Sequence, residues 1–403
     1  MMPEDRQQLG RRPGYLSPTE SGVPWMLNPE DPVLQRHAEL QAAGPDAPAD
    51  YHGYIKDAES LKDLLHHRHI SVVLDSDKVR TVDDIIDRWT RYLSEERPTT
   101  LAGCAGVLGK DLGKALNDAH LHVRHGHHHR TSKDTFGDDA GPAWDAATLN
   151  GIRTIRIRTL DGSDAADSVL RAGAAQHAED FTFQDIVVDL RGNGGGDDSY
   201  VTTWFTPHVN ASWTIPCQEQ GMTFFASGSS IVYWNYAIWL SLNHHSVPET
   251  FTAQHLRPLH DSHIIITTAP GDAGITREPP IPSGTSPWMG RMIVVIDGGT
   301  GSSGESAALL LKSAFNAVMV GTPSYGVIDY GNSTPYYLPT SGMEIHLPAQ
   351  ANHWGTTTDF IGIQPDVPLP ATTPLHDITA KFDHLHAAGL NAPTADYGRS
   401  MSH

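Results

Sequence analysis

The chain has 403 residues, enough to bury one large core or two smaller ones. Its hydrophobic fraction of 39% is normal for a globular protein, and 37 glycines with 28 prolines announce long loops. A formal charge of −19, from 28 Lys and Arg against 47 Asp and Glu, disfavours nucleic acid and anionic membranes as partners.

The opening stretch, MMPEDRQQLGRRPGY, carries charge with no apolar run behind it. That pattern is neither a secretory signal nor a transmembrane segment, so a cytoplasmic protein is expected. Residues 1–55 are rich in Pro, Gly and charge, lack periodicity, and read as an extended arm. Residues 56–120 read as a small helical domain. In TVDDIIDRWTRYL, Thr81 and Asp84 spell a capping box, and Val82, Ile85, Ile86, Trp89 and Leu93 share one face. In LAGCAGVLGKDLGKAL the stripe is Leu101, Cys104, Leu108, Leu112 and Leu116, which makes Cys104 a buried thiol. With Cys217 as the only other cysteine, no disulfide framework is expected.

Residues 121–150 are polar and His-rich and read as a loop. An α/β core is expected over 151–385. It begins with IRTIRIRTL as a strand, SDAADSVLRAGAAQHA as a helix, DIVVDL as a strand, the loop RGNGGGDDS and a helix from about Tyr200. This spacing argues a right-handed parallel unit. An irregular aromatic insertion occupies 207–290. Then RMIVVID, a glycine turn, a helix to about Ala317 and VMVGTP repeat the theme, and TPYYLP with MEIHLPAQ reads as a hairpin. Residues 386–403 are expected to be a tail.

The stretch GGTGSSGESAALLL, Gly298 to Leu311, passes from a tight turn into an apolar helix. A serine at such an elbow sits where free N–H groups and the helix dipole favour negative charge. Ser302 followed by Glu305 also spells a capping box, so the stretch alone supports either a nucleophile or a cap.

Four separated motifs point one way. IVVDLRGNGGG resembles the strand-plus-glycine signature of the carboxyl-terminal processing, or tail-specific, serine peptidases. VVIDGGTGSSGESAALLLK resembles that family's nucleophile turn, ALNDAHLHV its Asp-Gly-His-Thr element, and GIQPDVPL its closing turn. They occur in the family's order. The resemblance implies a crotonase/ClpP-like spiral core with a small N-terminal helical domain. The gap before the core is too short for the PDZ domain of many members, which points to the tricorn-core-like branch. Where the bacterial enzymes carry a catalytic lysine, this chain has Val327; the Asp-Gly-His-Thr element reads Asp118-Ala119-His120-Leu121.

The resemblance places Ser302 at the nucleophile, with Ser303 as runner-up; Ser306 lies inside the helix and reads as structural. The base implied is His120, because Lys312 lies too far along the helix. Asp359 falls where tricorn-like members carry the glutamate that orients the histidine, while Asp366 reads as a turn-former. Gly195 and the Ser303 N–H are implied as oxyanion donors, with Gly194 and Gly196 close behind. No cofactor and no metal is called for. The rival tract HLHVRHGHHHR presents His120, His122, His125, His127, His128 and His129 without acidic or Cys ligands at zinc spacing. Chelation is therefore expected to leave the rate unchanged.

The function expected is a serine endopeptidase acting on peptides or unfolded protein tails through an acyl-enzyme, with a homo-oligomer allowed. Two alternatives stand beside it: a non-catalytic binder of peptides or apolar ligands on the same fold, and an acyl transferase dedicated to peptide maturation.

Overall fold

The computed structural model describes residues 51–124, 141–210, 222–225, 273–276, 283–352 and 354–392, apart from 163, 339, 355 and 356, with scattered positions between 39 and 48. The His tract beyond residue 124, Cys217 and most of the 207–290 insertion lie outside these residues. The chain divides into two compact units. One comprises Met1–His129, Met222–Thr276 and Tyr330–Ala351; the other comprises Arg130–Gly221, Arg277–Asp329 and Asn352–His403.

The first unit is helical at its N-terminal end, as periodicity predicts. The Asp77–Glu95 helix buries Val82, Ile85, Ile86, Trp89 and Leu93, and the Leu101–Leu116 helix buries Leu101, Cys104, Leu108, Leu112 and Leu116. The Thr81–Asp84 capping box does not form, because the helix begins a turn earlier. Its start is held by Asp75, whose side chain accepts the Asp77 N–H at 3.1 Å. Trp89 donates its indole N–H to the Cys104 carbonyl at 2.7 Å, locking the two helices together. The second helix starts at Thr100, whose hydroxyl accepts the Gly103 N–H, and stops at Asn117 in the left-handed conformation. Burial pushes the Cys104 thiol up to about 11. Iodoacetamide at pH 8 is therefore expected to spare Cys104 in the folded protein and to modify it in urea, as read by peptide mass mapping.

The hairpin forms as strands Tyr330–Tyr337 and Glu344–Asn352, but it serves a different core than expected. Tyr336, Leu338, Met343, Ile345 and Leu347 share one apolar cluster with the helices, so the unit is helix plus sheet rather than helix alone. Strands His122–Arg124, Met222–Phe225 and Ala273–Thr276 complete that sheet. The segments expected to be a plain loop and a wholly irregular insertion therefore each contain strand.

The second unit is built on a six-stranded sheet. Its order is Val367–Pro368, Val318–Gly321, Arg291–Ile296, Asp185–Asp189, Ile152–Ile157 and Trp144–Leu149. All neighbours are parallel except the last pair. The four inner strands are buried along almost their whole length, and three of them, in Asp185–Asp189, Arg291–Ile296 and Val318–Gly321, are apolar runs, as a parallel sheet covered on both faces requires. Trp144–Leu149, expected as loop, is an edge strand whose first residue alone is fully buried, so its alternation is faint. It reverses into its neighbour through Asn150 and Gly151, both at positive φ (53° and 80°), as a two-residue hairpin requires. Residues Ile378, Phe382 and Leu385 close the core from one face. No helix among the described residues is long and apolar enough to cross a membrane.

Candidate active site

Strands Asp185–Asp189 and Arg291–Ile296 are parallel neighbours, so the loops leaving their carboxyl ends meet. The first is the glycine loop, the second the serine turn. Asn193, fully buried, organises the former: its side-chain amide donates to the Ile157 carbonyl at 3.0 Å and its side-chain oxygen accepts the Gly195 N–H at 3.0 Å. Its backbone carbonyl accepts the Gly301 N–H at 2.8 Å, while the Thr300 hydroxyl donates to the Leu190 carbonyl at 2.9 Å. Two bonds thus fasten the serine turn to the glycine loop. Nothing in the spacing of Asn193 singles it out in sequence.

Two glycines are required by space. Gly196 has φ +133°, and a Cβ there would lie 2.0 Å from the Leu160 backbone. A Cβ on Gly195 would lie 2.8 Å from Ser302 Cβ and 3.0 Å from the Ser303 nitrogen. The absent side chain is what lets the glycine loop lie directly against the serine turn.

Ser302 is half-buried and has φ 50°, ψ −122°, a conformation that costs a non-glycine residue. The Ser303–Phe315 helix follows at once, so Ser302 stands at its positive end. Ser303 donates its hydroxyl to the Gly196 carbonyl at 2.7 Å, which occupies that side chain within the scaffold. Ser306 lies inside the helix and bonds Asp198, and Lys312 pairs with Asp366 at 2.6 Å, away from the turn. Asp366 also accepts the Met319 N–H at 2.8 Å, fixing the closing turn.

Glu305, also fully buried, carries more of the site than a cap would. One carboxylate oxygen accepts the N–H groups of Ser302 (3.1 Å) and Val327 (2.9 Å); the other accepts the Gly326 N–H (2.9 Å) and the Ser324 hydroxyl. Burial holds its carboxyl above the ordinary glutamate range, against these four donors that pull it down. Val327 therefore contributes its backbone, not a base. The same loop is tied by hydrogen bonds to Asp359, which is buried and accepts the Ile328 and Asp329 N–H groups at 2.8 Å each. Asp329 returns the favour by accepting the Thr358 and Asp359 N–H groups. Asp359 and the serine turn are thus joined through loop 324–329. Ser302, Ser303, Gly195 and Asp359 all belong to the α/β unit.

His120 belongs to the other unit, just beyond the Leu101–Leu116 helix. Its position is fixed by Asp118, whose side chain accepts the N–H groups of His120 (2.8 Å) and Leu121 (3.1 Å). The second oxygen of Asp118 meets His69 Nε2 at 3.0 Å, and both residues are fully buried. His69 Nδ1 accepts the Ser71 N–H, so the proton is on Nε2 and points at Asp118. Sequence reasoning missed His69, which lies 49 residues away from its partner. Asp118→Asn should destabilise the protein by about 1–3 kcal/mol in urea unfolding, because an amide cannot accept from all three donors.

A serine held in a strained turn at a helix N-terminus, facing a glycine loop at the carboxyl ends of parallel strands, has the surroundings that suit a nucleophile. Residues 152–369 match the family model "Peptidase family S41", and the chain belongs to that family of serine peptidases. Among solved structures it is similar to mature CPAF, at 12% identity over 85% of this chain and 99% of that one, with a TM-score of 0.50. It is also similar to a putative peptidase from Parabacteroides merdae (14%, 84% and 99%, 0.48) and to the photosystem II D1 C-terminal processing protease (11%, 82% and 97%, 0.41). At these identities the likeness concerns the fold alone. No curated protein matches the chain.

Proposed function

We propose that the protein is an endopeptidase that cleaves peptides or protein tails through an acyl-enzyme formed on Ser302. The observation that carries the proposal is the strained Ser302 at the head of a helix, pressed against Gly195. In the proposed reaction the Ser302 Oγ adds to the scissile carbonyl carbon while His120 takes the hydroxyl proton. His120 then passes that proton to the leaving amine as the peptide C–N bond breaks. Water repeats the addition on the ester and releases the acid. Asp359 is the proposed partner that orients the imidazole, and Asp118 with His69 the support that positions the His120 backbone.

The oxyanion is proposed to lie on the Ser303 N–H, for which no acceptor stands among the described residues. The Gly195 N–H is the proposed second donor and would share its proton between Asn193 and the oxyanion. Descent from the tricorn-core-like, PDZ-free branch and a crotonase/ClpP-like spiral belong to the same proposal and rest on the motifs and on the short gap before the core; a cytoplasmic site of action is proposed with them.

The decisive experiment is labelling with a fluorophosphonate, followed by mass mapping. A single adduct on Ser302, together with hydrolysis of an unfolded protein substrate, is expected. An unlabelled Ser302 in a protein that still hydrolyses peptides would overturn the assignment. Asp118→Asn should in addition lower kcat with little change in KM, since it moves the base and leaves the peptide site alone.

A further inference from the structure

The glycine loop has little of its own to hold its shape. Gly195 and Gly196 take φ values of +108° and +133°, which glycine alone holds without strain, and they bring no side chains to fix the loop. On one side the loop is tied to Leu160, which donates its N–H to the Gly195 carbonyl at 3.0 Å and accepts the Asp197 N–H at 2.8 Å. On the other side it is tied by side chains of the Ser303–Phe315 helix. Ser303 and Ser306 share one face of that helix and reach the loop at the Gly196 carbonyl and the Asp198 carboxyl.

Both members of the Ser306–Asp198 contact are turned away from local partners. Asp198 immediately precedes the Ser199–Phe205 helix, where an aspartate ordinarily accepts an N–H of the first turn, yet its side chain makes no such cap. Asp197 accepts the Ser199 N–H instead, at 2.9 Å. A serine inside a helix ordinarily returns its hydroxyl to the carbonyl four residues back, which for Ser306 is that of Ser302. Ser306 instead bonds the Asp198 carboxyl, 108 residues away in sequence. The contact is kept against a cost: burial, and with it the Asp197 charge, raises the Asp198 carboxyl above the ordinary aspartate range, while the bond to Ser306 pulls it down. The contact survives protonation, since an ionised Asp198 accepts from Ser306 and a neutral one can donate to it. It also lies deeper than the Ser303 bond, which is exposed and which water can replace.

We infer that Asp198, acting through Ser306, is a positioning residue that sets the Gly195 N–H against Ser302. The inference rests on the peptidase proposal, in which that N–H receives the oxyanion. Asp198 itself touches no substrate; it fixes the point at which the glycine loop leaves the face of the helix that Ser302 heads. The oxyanion exists only once Ser302 has added to the carbonyl. A displaced donor therefore weakens the transition state and leaves the bound peptide alone.

The test compares the full chain with Asp198→Ala, Ser306→Ala, the double variant and Asp198→Asn on an unfolded protein substrate. Asp198→Ala and Ser306→Ala should each lower kcat about tenfold at unchanged KM, a fraction of what a wholly lost oxyanion donor costs. The double variant should also lose about tenfold, because both changes break one contact and their effects do not add. Asp198→Asn, whose side-chain oxygen still accepts from Ser306, should restore most of kcat. Full kcat in Asp198→Ala would overturn the inference, and so would additive losses in the double variant or a loss that appears in KM. Hydrogen exchange read by mass spectrometry scores the contact without activity. In Asp198→Ala the peptide spanning 192–198 should exchange faster, while that of the Asp185–Asp189 strand stays as in the wild type. Faster exchange in both peptides would make Asp198 a general stabiliser and overturn the inference, as would no change in either. Should Asp198→Ala fail to fold, Ser306→Ala carries the same comparisons. The peptidase proposal is scored separately on the wild type. A wild type that cleaves nothing and takes no fluorophosphonate refutes that proposal and the catalytic role of Asp198 with it, while the exchange result still decides whether Asp198 fixes the loop.

Discussion

Ser302→Ala is expected to abolish peptide hydrolysis, with a loss on the order of 10⁴–10⁶ in kcat and a folded protein remaining. The hydroxyl is the only atom removed. Its contribution to stability is at most that of a helix cap, about 1 kcal/mol. The strained backbone at φ 50° persists with alanine, so the turn keeps its shape against Gly195. Ser302→Gly gives a sharper version of the same result: it should be equally inactive yet no less stable, since glycine adopts this conformation without strain. Ser303→Ala tests the register. It removes the bond to the Gly196 carbonyl but leaves the Ser303 N–H in place, so most activity should survive. Activity retained by Ser302→Ala and lost in Ser303→Ala would shift the nucleophile by one residue.

The serine turn is legible in the sequence because its pattern is local. Strand, glycines, serine and helix lie within a few residues, and the structure reproduces them as RMIVVI followed by the Ser303–Phe315 helix. The buried faces of the two long helices are legible for the same reason: a period of 3.6 residues needs no tertiary information. What could not be read depends on contacts distant in sequence. His69 meets Asp118 across 49 residues, and Asn193 meets Ile157 across 36. Neither residue type at its position signals a partner. The hairpin was legible as two strands but not as part of the helical unit, because strand alternation says which face is buried and not against what. One miss had a readable cause. The dipeptide Asn150-Gly151 before an apolar run is a strong hairpin signal, and it marks the edge strand Trp144–Leu149 that polar composition obscured.

Glu305 offers the second large effect, because one side chain holds both walls of the site. Glu305→Ala leaves the N–H groups of Ser302, Gly326 and Val327 and the Ser324 hydroxyl without their acceptor. At about 1–3 kcal/mol for each buried donor, that variant should fail to fold at ordinary temperatures. Glu305→Gln is the informative change. Its single oxygen best replaces the one that serves Ser302 and Val327, and the Ser324 hydroxyl can turn to accept from the new amide. The Gly326 N–H and the Ser324 hydroxyl proton then lose their acceptor, two donors rather than four, so the variant should fold with reduced stability. Loop 324–327 should nevertheless shift, and kcat should fall by about 10²-fold, as displacements of a reacting group on the order of 1 Å do. The pH dependence separates this role from simple packing. Burial raises the native-state pKa of Glu305 above its unfolded value, so the folded chain binds this proton more tightly than the unfolded one. The resulting stability is complete below the unfolded pKa and is lost as pH rises through the native one. Glutamine has no such proton. In urea unfolding, the stability of Glu305→Gln relative to wild type should therefore increase from about pH 4 to pH 7, where the wild type must ionise a buried carboxyl. A difference independent of pH, or one that moves the other way, would mean that Glu305 is fully ionised at no cost, and its hold on the two loops would have to be explained by packing instead.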